Sequence, residues 1–111
     1  MNFFKNRGAI IVSKDKAINY LLNATHPDGG SKAKLFISCG FHPENWEDFV
    51  EKVRDHAQAA EVISEYDTPF GLKIVLMGLL ETPSKRSLSI VSVWNVQKNI
   101  PILVTLYPAK R

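Results

Sequence analysis

One nine-residue segment, from position 26 to position 34, combines side chains that could handle a phosphate group. It offers a proton-transfer group, two cations, two glycines that let backbone amides approach a ligand, and a serine that can cap a helix. Helix N-termini attract anions, so the segment predicts a site for a phosphate or for a phosphodiester under attack. It fits a plain glycine turn before a helix equally well, because it lacks a complete phosphate-loop motif. The residues in question are His26, Gly29, Gly30, Ser31, Lys32 and Lys34.

The roles within this segment follow from side-chain chemistry and spacing. His26 precedes a proline in a loop, where it could act as a general base or acid near neutral pH; a loop histidine that bonds its own turn is the alternative. Lys32 and Lys34 are separated by about 200° on an ideal helix, so they cannot both point into one site. We expect Lys32, beside the glycines, to contact the phosphate; a solvated surface lysine is the alternative. No Cys, His or carboxylate residues have metal-ligand spacing, so we predict neither a metal nor a cofactor.

Length and composition predict one globular domain spanning residues 1–111. The chain has 45% hydrophobic and 23% charged residues, and its single cysteine fits a reducing, cytoplasmic compartment. No stretch is apolar for long enough to span a membrane, so we expect no membrane association.

The net charge of +3 conceals an asymmetry along the chain. Positions 44–81 hold nine acidic and three basic residues, whereas the remainder holds two acidic and eleven basic ones. A basic face formed by that remainder would favour phosphate-rich or acidic partners, although lysines scattered over a solvated surface would give the same count.

Hydrophobic spacing predicts helices in the first half of the chain. Residues 9–12 form a short apolar run that could be a strand, and residues 14–22 have helical periodicity. Ser31 is the expected N-cap of a second helix that stops at Gly40. Pro43 begins a longer amphipathic helix with acidic residues near its start.

After residue 60 the periodicity changes to that of strands, at 61–66, 72–79, 87–97 and 102–107. Their short connections predict an antiparallel meander, and hence an α+β fold with N-terminal helices packed on a four-stranded sheet. A three-residue turn at 98–100 would pair Gln97 with Pro101, Asn95 with Leu103, Val93 with Thr105 and Val91 with Tyr107. This half-polar sheet face is a candidate cleft; a half-solvated face is the alternative.

Several short motifs are spread over residues 14–108: Asn19-Tyr-Leu-Leu-Asn23, His26-Pro27, Gly29-Gly-Ser-Lys-Ala-Lys34, Gly40-Phe41, Pro43-Glu-Asn-Trp46, Thr68-Pro-Phe-Gly71, Trp94, Leu103-Val-Thr105 and Tyr107-Pro108. Together they resemble an uncharacterised bacterial family, the domain-of-unknown-function family 6883. The family resemblance implies small free-standing proteins or C-terminal tips of polymorphic toxins. By fold analogy, the order of elements is also similar to the barnase, colicin and RelE-like ribonucleases.

Carried over residue by residue, the resemblance singles out His26, Gly30, Ser31, Lys32, Lys34, Trp94, Thr105 and Tyr107. Two positions depart from the family pattern. His42 stands where a small N-capping residue is usual, and Val91 stands where an arginine is expected, three residues before Trp94. That arginine would face Tyr107 and offer a cation to a phosphate. Arg86 and Lys85, in the preceding turn, are the candidate replacements.

Two functional hypotheses follow. The first is a toxin-like effector, acting as a metal-independent ribonuclease or RNA-binding protein, with RNA as its ligand. His26, Lys32, Thr105 and Tyr107 would then form the catalytic set, and Gly29, Gly30, Ser31, Lys34 and Arg86 would bind phosphate. The expected protein partner is a cognate inhibitor or antitoxin-like small protein. The alternative, favoured by Val91, is a catalytically inactive protein-binding module paired with a cognate small protein.

Overall fold

The structure is a computed structural model that describes residues 2–27 and 30–109. Helical elements precede the strands. They are a 3₁₀ turn at Arg7–Ala9, a helical turn α1 at Lys14–Lys16 that continues as a π-helical segment at Ala17–Leu21, α2 at Gly30–Ser38, a 3₁₀ turn at Pro43–Asn45, and α3 at Trp46–Ala59. The strands are β1 at Glu61–Thr68, β2 at Gly71–Glu81, β3 at Ser87–Gln97 and β4 at Ile100–Pro108. Over the described ranges, every helix is too short or too polar to cross a membrane.

The four strands form one antiparallel sheet in the order β1-β2-β3-β4, so the predicted α+β meander is confirmed. Alternation along β3 explains how the sheet meets the helices. Leu88, Ile90 and Trp94 lie on one face and are buried, as side chains two residues apart must share a face. The helices pack on that face.

α3 anchors the helical layer because its apolar residues recur at helical spacing. Phe49, Val53 and Ala57 are buried in the core, and Phe49 contacts the rings of Phe36 in α2 and Phe41. The amphipathic helix predicted from Pro43 is therefore confirmed, with a 3₁₀ first turn.

A buried polar network joins α3 to the sheet. Trp94 Nε1 donates to Ser92 Oγ at 2.8 Å, and His56 Nε2 lies 2.8 Å from the same oxygen. His56 Nδ1 lies 3.3 Å from the carbonyl oxygen of Leu79, which can only accept, so Nδ1 bears the proton and Nε2 accepts from the serine. Burial lowers the pKa of His56, which keeps the ring neutral.

The last hairpin differs from the predicted register near its turn. Gln97 pairs with Ile100 across a two-residue turn, in which Lys98 and Asn99 both have positive φ, so Asn95 pairs with Ile102 rather than Leu103. The predicted pairings of Gln97 with Pro101 and Asn95 with Leu103 are wrong by one residue, because two positive-φ residues suffice to close a twisted hairpin. An irregularity between Val93 and Trp94 then absorbs one residue of β4.

Beyond that irregularity the predicted pairings are confirmed. Val93 pairs with Thr105, and Val91 pairs with Tyr107. The extra residue in β4 restores the alternation expected from the sequence. The strand prediction and the actual ladder therefore agree at the end of the sheet that holds Thr105 and Tyr107.

Two N-terminal expectations need correction. Residues 9–12 do not form a strand: a 3₁₀ turn covers Arg7–Ala9, and Ile11 makes a single parallel bridge to Ile102. Ser31 is not the N-cap of α2, because the helix already begins at Gly30. Gly40, by contrast, has a φ of 102° just after α2, as expected of a helix-ending glycine.

The outer face of the sheet, opposite the helices, is apolar along its middle rows. Met77 of β2, Val91 of β3 and Tyr107 of β4 form one row across three strands. Val91 is only 8% exposed, whereas Met77, Tyr107 and the neighbouring Leu79 are 40%, 41% and 59% exposed. Val91 is therefore flanked by its strand neighbours on a face that remains open to solvent around it.

Candidate functional site

A lysine, a tyrosine and a threonine from three separate elements meet beside β4. Lys32 of α2 donates from Nζ to the Tyr20 hydroxyl at 2.7 Å and to Thr105 Oγ1 at 3.2 Å. The two hydroxyl oxygens lie 3.5 Å apart. An ammonium group has three N–H donors, and two of them serve these hydroxyls among the described residues. The third can donate to an anionic ligand.

Tyr20 is placed by the π-helical segment at Ala17–Leu21. The amide of Leu22 donates to the carbonyl of Ala17 at 2.8 Å, which closes a five-residue turn instead of a four-residue one. Such a turn re-aims the side chains that follow it, and π turns are frequent at functional sites. Lys16, one turn earlier, holds its Nζ 5.2 Å from the centre of the Tyr20 ring, and Lys32 Nζ lies 4.6 Å from it.

His26 reaches the same place from the loop before α2. Its ring meets the Tyr20 ring edge to face, with the two ring centres 4.9 Å apart. The loop backbone fixes it at both ends, because its amide donates to the Asn23 carbonyl and its carbonyl accepts from the Gly30 amide. The tyrosine cluster, as we define it, consists of Lys16, Tyr20, His26, Lys32 and Thr105; all five are half-buried.

The electrostatics of the cluster favour negative charge on Tyr20. The hydrogen bond from Lys32 lowers the pKa of Tyr20 below its usual range, with Thr105 as the second contributor. Partial burial opposes this shift, and the charges of Lys32 and Lys16 add to it. A phenol held in this way can give up its proton more readily than an exposed tyrosine. The cluster therefore combines fixed cations with a group suited to proton transfer.

Three of the four residues predicted as catalytic lie in the cluster: His26, Lys32 and Thr105. The fourth, Tyr107, is two residues beyond Thr105 on β4, or about 7 Å further along the strand. Its ring is 41% exposed and sits beside Val91 on the outer face. Their catalytic roles stay predictions.

The residues predicted to bind phosphate lie in more varied places. Gly30 uses its amide to bond the His26 carbonyl, and a side chain there would come within 2.6 Å of the Ala24 carbonyl oxygen. Gly30 therefore allows the backbone at the start of α2 to lie close to the backbone of Ala24. Ser31 and Lys34 are exposed on α2. Gly29 falls outside the residues that the structure describes.

Arg86 lies at the far end of α2 from Lys32. It is exposed in the turn between β2 and β3, where the Ser84 amide donates to the carbonyl of Cys39 just after α2. Lys32 is in the first turn of the same helix, about 10 Å of helical rise away from Cys39. The expected substitution of Arg86 for the missing arginine stays a prediction.

Sequence reasoning missed Tyr20 and Lys16 as site residues. Helical periodicity drew attention to the apolar stripe of residues 17–22, from which Tyr20 departs. A signal was nevertheless present, since Tyr20 belongs to one of the motifs shared with the family and Lys16 stands four residues before it.

No group of three or more His, Cys, Asp or Glu side chains among residues 2–27 and 30–109 is arranged to hold a metal ion. The expected absence of a metal and of a cofactor stays a prediction.

The fold has a counterpart among solved structures. One chain of a contact-dependent growth inhibition toxin–immunity protein complex from Klebsiella pneumoniae 342 superposes with a TM-score of 0.72. The match covers 89% of this chain and 99% of that chain, at 16% sequence identity. At this identity the likeness concerns the fold.

The family is shown by the sequence itself. Residues 4–110 match the model of the domain of unknown function DUF6883, so the chain belongs to that family, as the motifs predicted. No match was found among curated proteins.

Proposed function

We propose that this chain is a protein of a toxin system that binds the phosphodiester backbone of RNA and cleaves it without a metal ion. The observation behind the proposal is the meeting of Lys32, Tyr20 and Thr105 beside His26. Two lysines, two hydroxyls and an imidazole provide positive charge, hydrogen-bond donors and a proton-transfer group in one half-buried place. These are the parts that phosphodiester cleavage by side chains requires.

In such a reaction the 2′-hydroxyl of RNA attacks the adjacent phosphorus. His26 transfers a proton in this reaction. It either takes the proton from the attacking 2′-oxygen or gives a proton to the leaving 5′-oxygen. Lys32 donates to the phosphate oxygens as negative charge grows on them, and Lys16 adds positive charge nearby. Thr105 and Tyr107 position the substrate along β4.

The comparisons support a role in a toxin system. The solved chain with a similar fold belongs to a toxin–immunity protein complex. The basic excess outside residues 44–81 suits a phosphate-rich ligand, and Lys16 and Lys32 belong to that basic part of the chain.

Purified protein incubated with total RNA at several salt concentrations tests this proposal. We expect cleavage that weakens as salt rises, because phosphate contacts release counterions. His26→Ala should abolish cleavage and relieve toxicity in cells, and Lys32→Ala should slow cleavage strongly. Lys5→Ala is the matched control, since it removes one exposed positive charge outside the cluster. Intact RNA with the wild-type protein, together with undiminished toxicity of His26→Ala, would refute the proposal.

The second candidate function is an inactive module that binds a cognate inhibitor or antitoxin-like small protein. Val91, in place of the expected arginine, and the open outer face around Met77 and Leu79 favour it. Exposed apolar patches of this kind are typical of protein–protein contacts.

Co-purification with the product of a neighbouring gene separates the two candidates. An interface over His26 and Tyr107 would suit an active toxin held by its inhibitor. An interface centred on Met77 and Leu79 of the outer face, or on the acidic surface of α3, would instead suit a plain module. The Leu79→Lys variant tests the outer face directly, because a charge there should weaken a complex formed on that face.

A further inference from the structure

The hydroxyl of Tyr20 stands in an unusual hydrogen-bonding position. Its oxygen accepts a hydrogen bond from Lys32 Nζ at 2.7 Å, so its own proton must be directed away from that lysine. Thr105 Oγ1, at 3.5 Å, is at the limit of hydrogen-bonding distance and itself accepts from Lys32. Among the described residues, the phenolic O–H therefore has only this distant oxygen as an acceptor. The hydroxyl can instead meet a polar group of a substrate.

The ring of Tyr20 is fixed on several sides. Lys32 and Lys16 place their ammonium groups 4.6 and 5.2 Å from the ring centre, and His26 packs edge to face against it. A cation that donates to a phenol oxygen stabilises the phenolate more than the phenol. His26, whose ring centre lies 4.9 Å from that of Tyr20, is then the second proton-transfer group of the cluster.

We infer that Tyr20 is a catalytic residue of the proposed RNA cleavage, in which its phenolate takes the proton from the attacking 2′-hydroxyl. This inference rests on the proposed function. The 2′-oxygen forms its bond to phosphorus while the bond from phosphorus to the 5′-oxygen breaks. His26, as the imidazolium, donates its proton to that leaving oxygen. The products are a 2′,3′-cyclic phosphate and a 5′-hydroxyl, and solvent afterwards returns one proton from Tyr20 to His26.

Lys32 has two functions in this scheme. It holds the phenolate through the bond to the Tyr20 oxygen, and its remaining N–H donor meets the charge that develops on the phosphate. Thr105 keeps Lys32 between β4 and the helical segment. Loss of Lys32 should therefore both weaken catalysis and return the tyrosine to ordinary acidity.

The first test is a tyrosine titration of the protein without RNA, followed by the ultraviolet absorbance of tyrosinate. The chain has three tyrosines, and we expect one to ionise at lower pH than the other two. Tyr20→Phe should remove that early step, whereas Lys32→Met should move it to higher pH. Tyr66→Phe, at an exposed position on β1, should leave it in place. A wild-type protein whose tyrosines all ionise together would overturn the inference.

The second test is the pH profile of RNA cleavage. Tyr20→Phe keeps the ring and its packing but lacks the hydroxyl, so we expect a rate about 10²- to 10⁴-fold lower with RNA affinity nearly unchanged. Lys32→Met should shift the rise in rate with pH to higher pH, which a purely structural role of Tyr20 would not produce. Cleavage by Tyr20→Phe at the wild-type rate would overturn this inference and leave the proposed function standing. A wild-type protein that leaves RNA intact would overturn both.

Discussion

Ser92 is the shared partner in the buried network between α3 and the sheet, and its replacement by alanine should destabilise the fold strongly. Ser92 is 0% exposed, and it receives the Trp94 indole N–H while it donates to His56 Nε2. Ser92→Ala removes one oxygen but leaves two polar atoms without a partner. Trp94 and His56 are themselves 0% and 2% exposed, so water does not reach them in the folded state.

The magnitude follows from the two stranded groups. A buried donor or acceptor without a partner costs about 1–3 kcal/mol, so two of them should lower the free energy of unfolding by about 2–6 kcal/mol. For a domain of this size that corresponds to a melting temperature lower by roughly 10–25 °C. This is a large share of a typical total stability of about 5–15 kcal/mol.

Urea denaturation of the wild type and two serine variants measures the effect. Ser89→Ala is the matched control, since Ser89 lies in the same strand but is exposed on the outer face. We expect this control to change the free energy of unfolding by less than about 0.5 kcal/mol. If Ser92→Ala unfolds at the same urea concentration as Ser89→Ala, the network does not stabilise the fold and the reasoning is wrong.

Three further predictions concern the pH response, the outer face and the start of α2. Burial lowers the pKa of His56 in the folded protein. The contribution of His56 to the free energy of unfolding is therefore present in full above its pKa in the unfolded chain, about 6.5, and is lost as pH falls through the folded pKa. In denaturation experiments between pH 7.5 and 5, His56→Gln should reduce the decrease in the free energy of unfolding. The exposed control His42→Gln should leave that decrease as in the wild type. Val91→Arg should lower the free energy of unfolding by only about 1 kcal/mol in thermal melts, because the arginine stem can lie along its exposed neighbours and reach solvent. A decrease of several kcal/mol would mean that this face is covered in solution. Gly30→Ala should cost about 1–3 kcal/mol in the same assay, because the added carbon meets a backbone oxygen at 2.6 Å, whereas at Gly8 the nearest atom is 3.7 Å away and Gly8→Ala should be tolerated.

The register of the last hairpin illustrates where sequence reasoning holds and where it fails. The pairing of Val91 with Tyr107 was predictable, because side chains on a strand alternate strictly between two faces. The pairing near the turn was not, because it depends on whether residues 98 and 99 adopt positive φ and on an extra residue absorbed in β4. Both features reflect how the twisted strands fit together. They leave no clear mark in the pattern of apolar residues.

The candidate site also combines residues that the sequence predicts with residues that only the packing of the elements reveals. His26, Lys32 and Thr105 were predicted from their chemistry and from the family motifs, and the fold places them together. Tyr20 was missed, since its position depends on a π turn and on contacts with residues 12 and 85 positions away. Contacts across such separations form only when the elements pack.

The sequence by itself therefore determined the class of the fold, the extent of most elements and the family. Hydrophobic periodicity and turn residues act locally, over a few positions, and these are the features they control. Only the tertiary structure decided which hydroxyls meet Lys32, and that Gly30 serves a close backbone approach. It also decided that Val91 lies on an open apolar face. The physical reason is that packing joins residues far apart in the chain, and one extra residue in a helix or strand redirects every side chain that follows it.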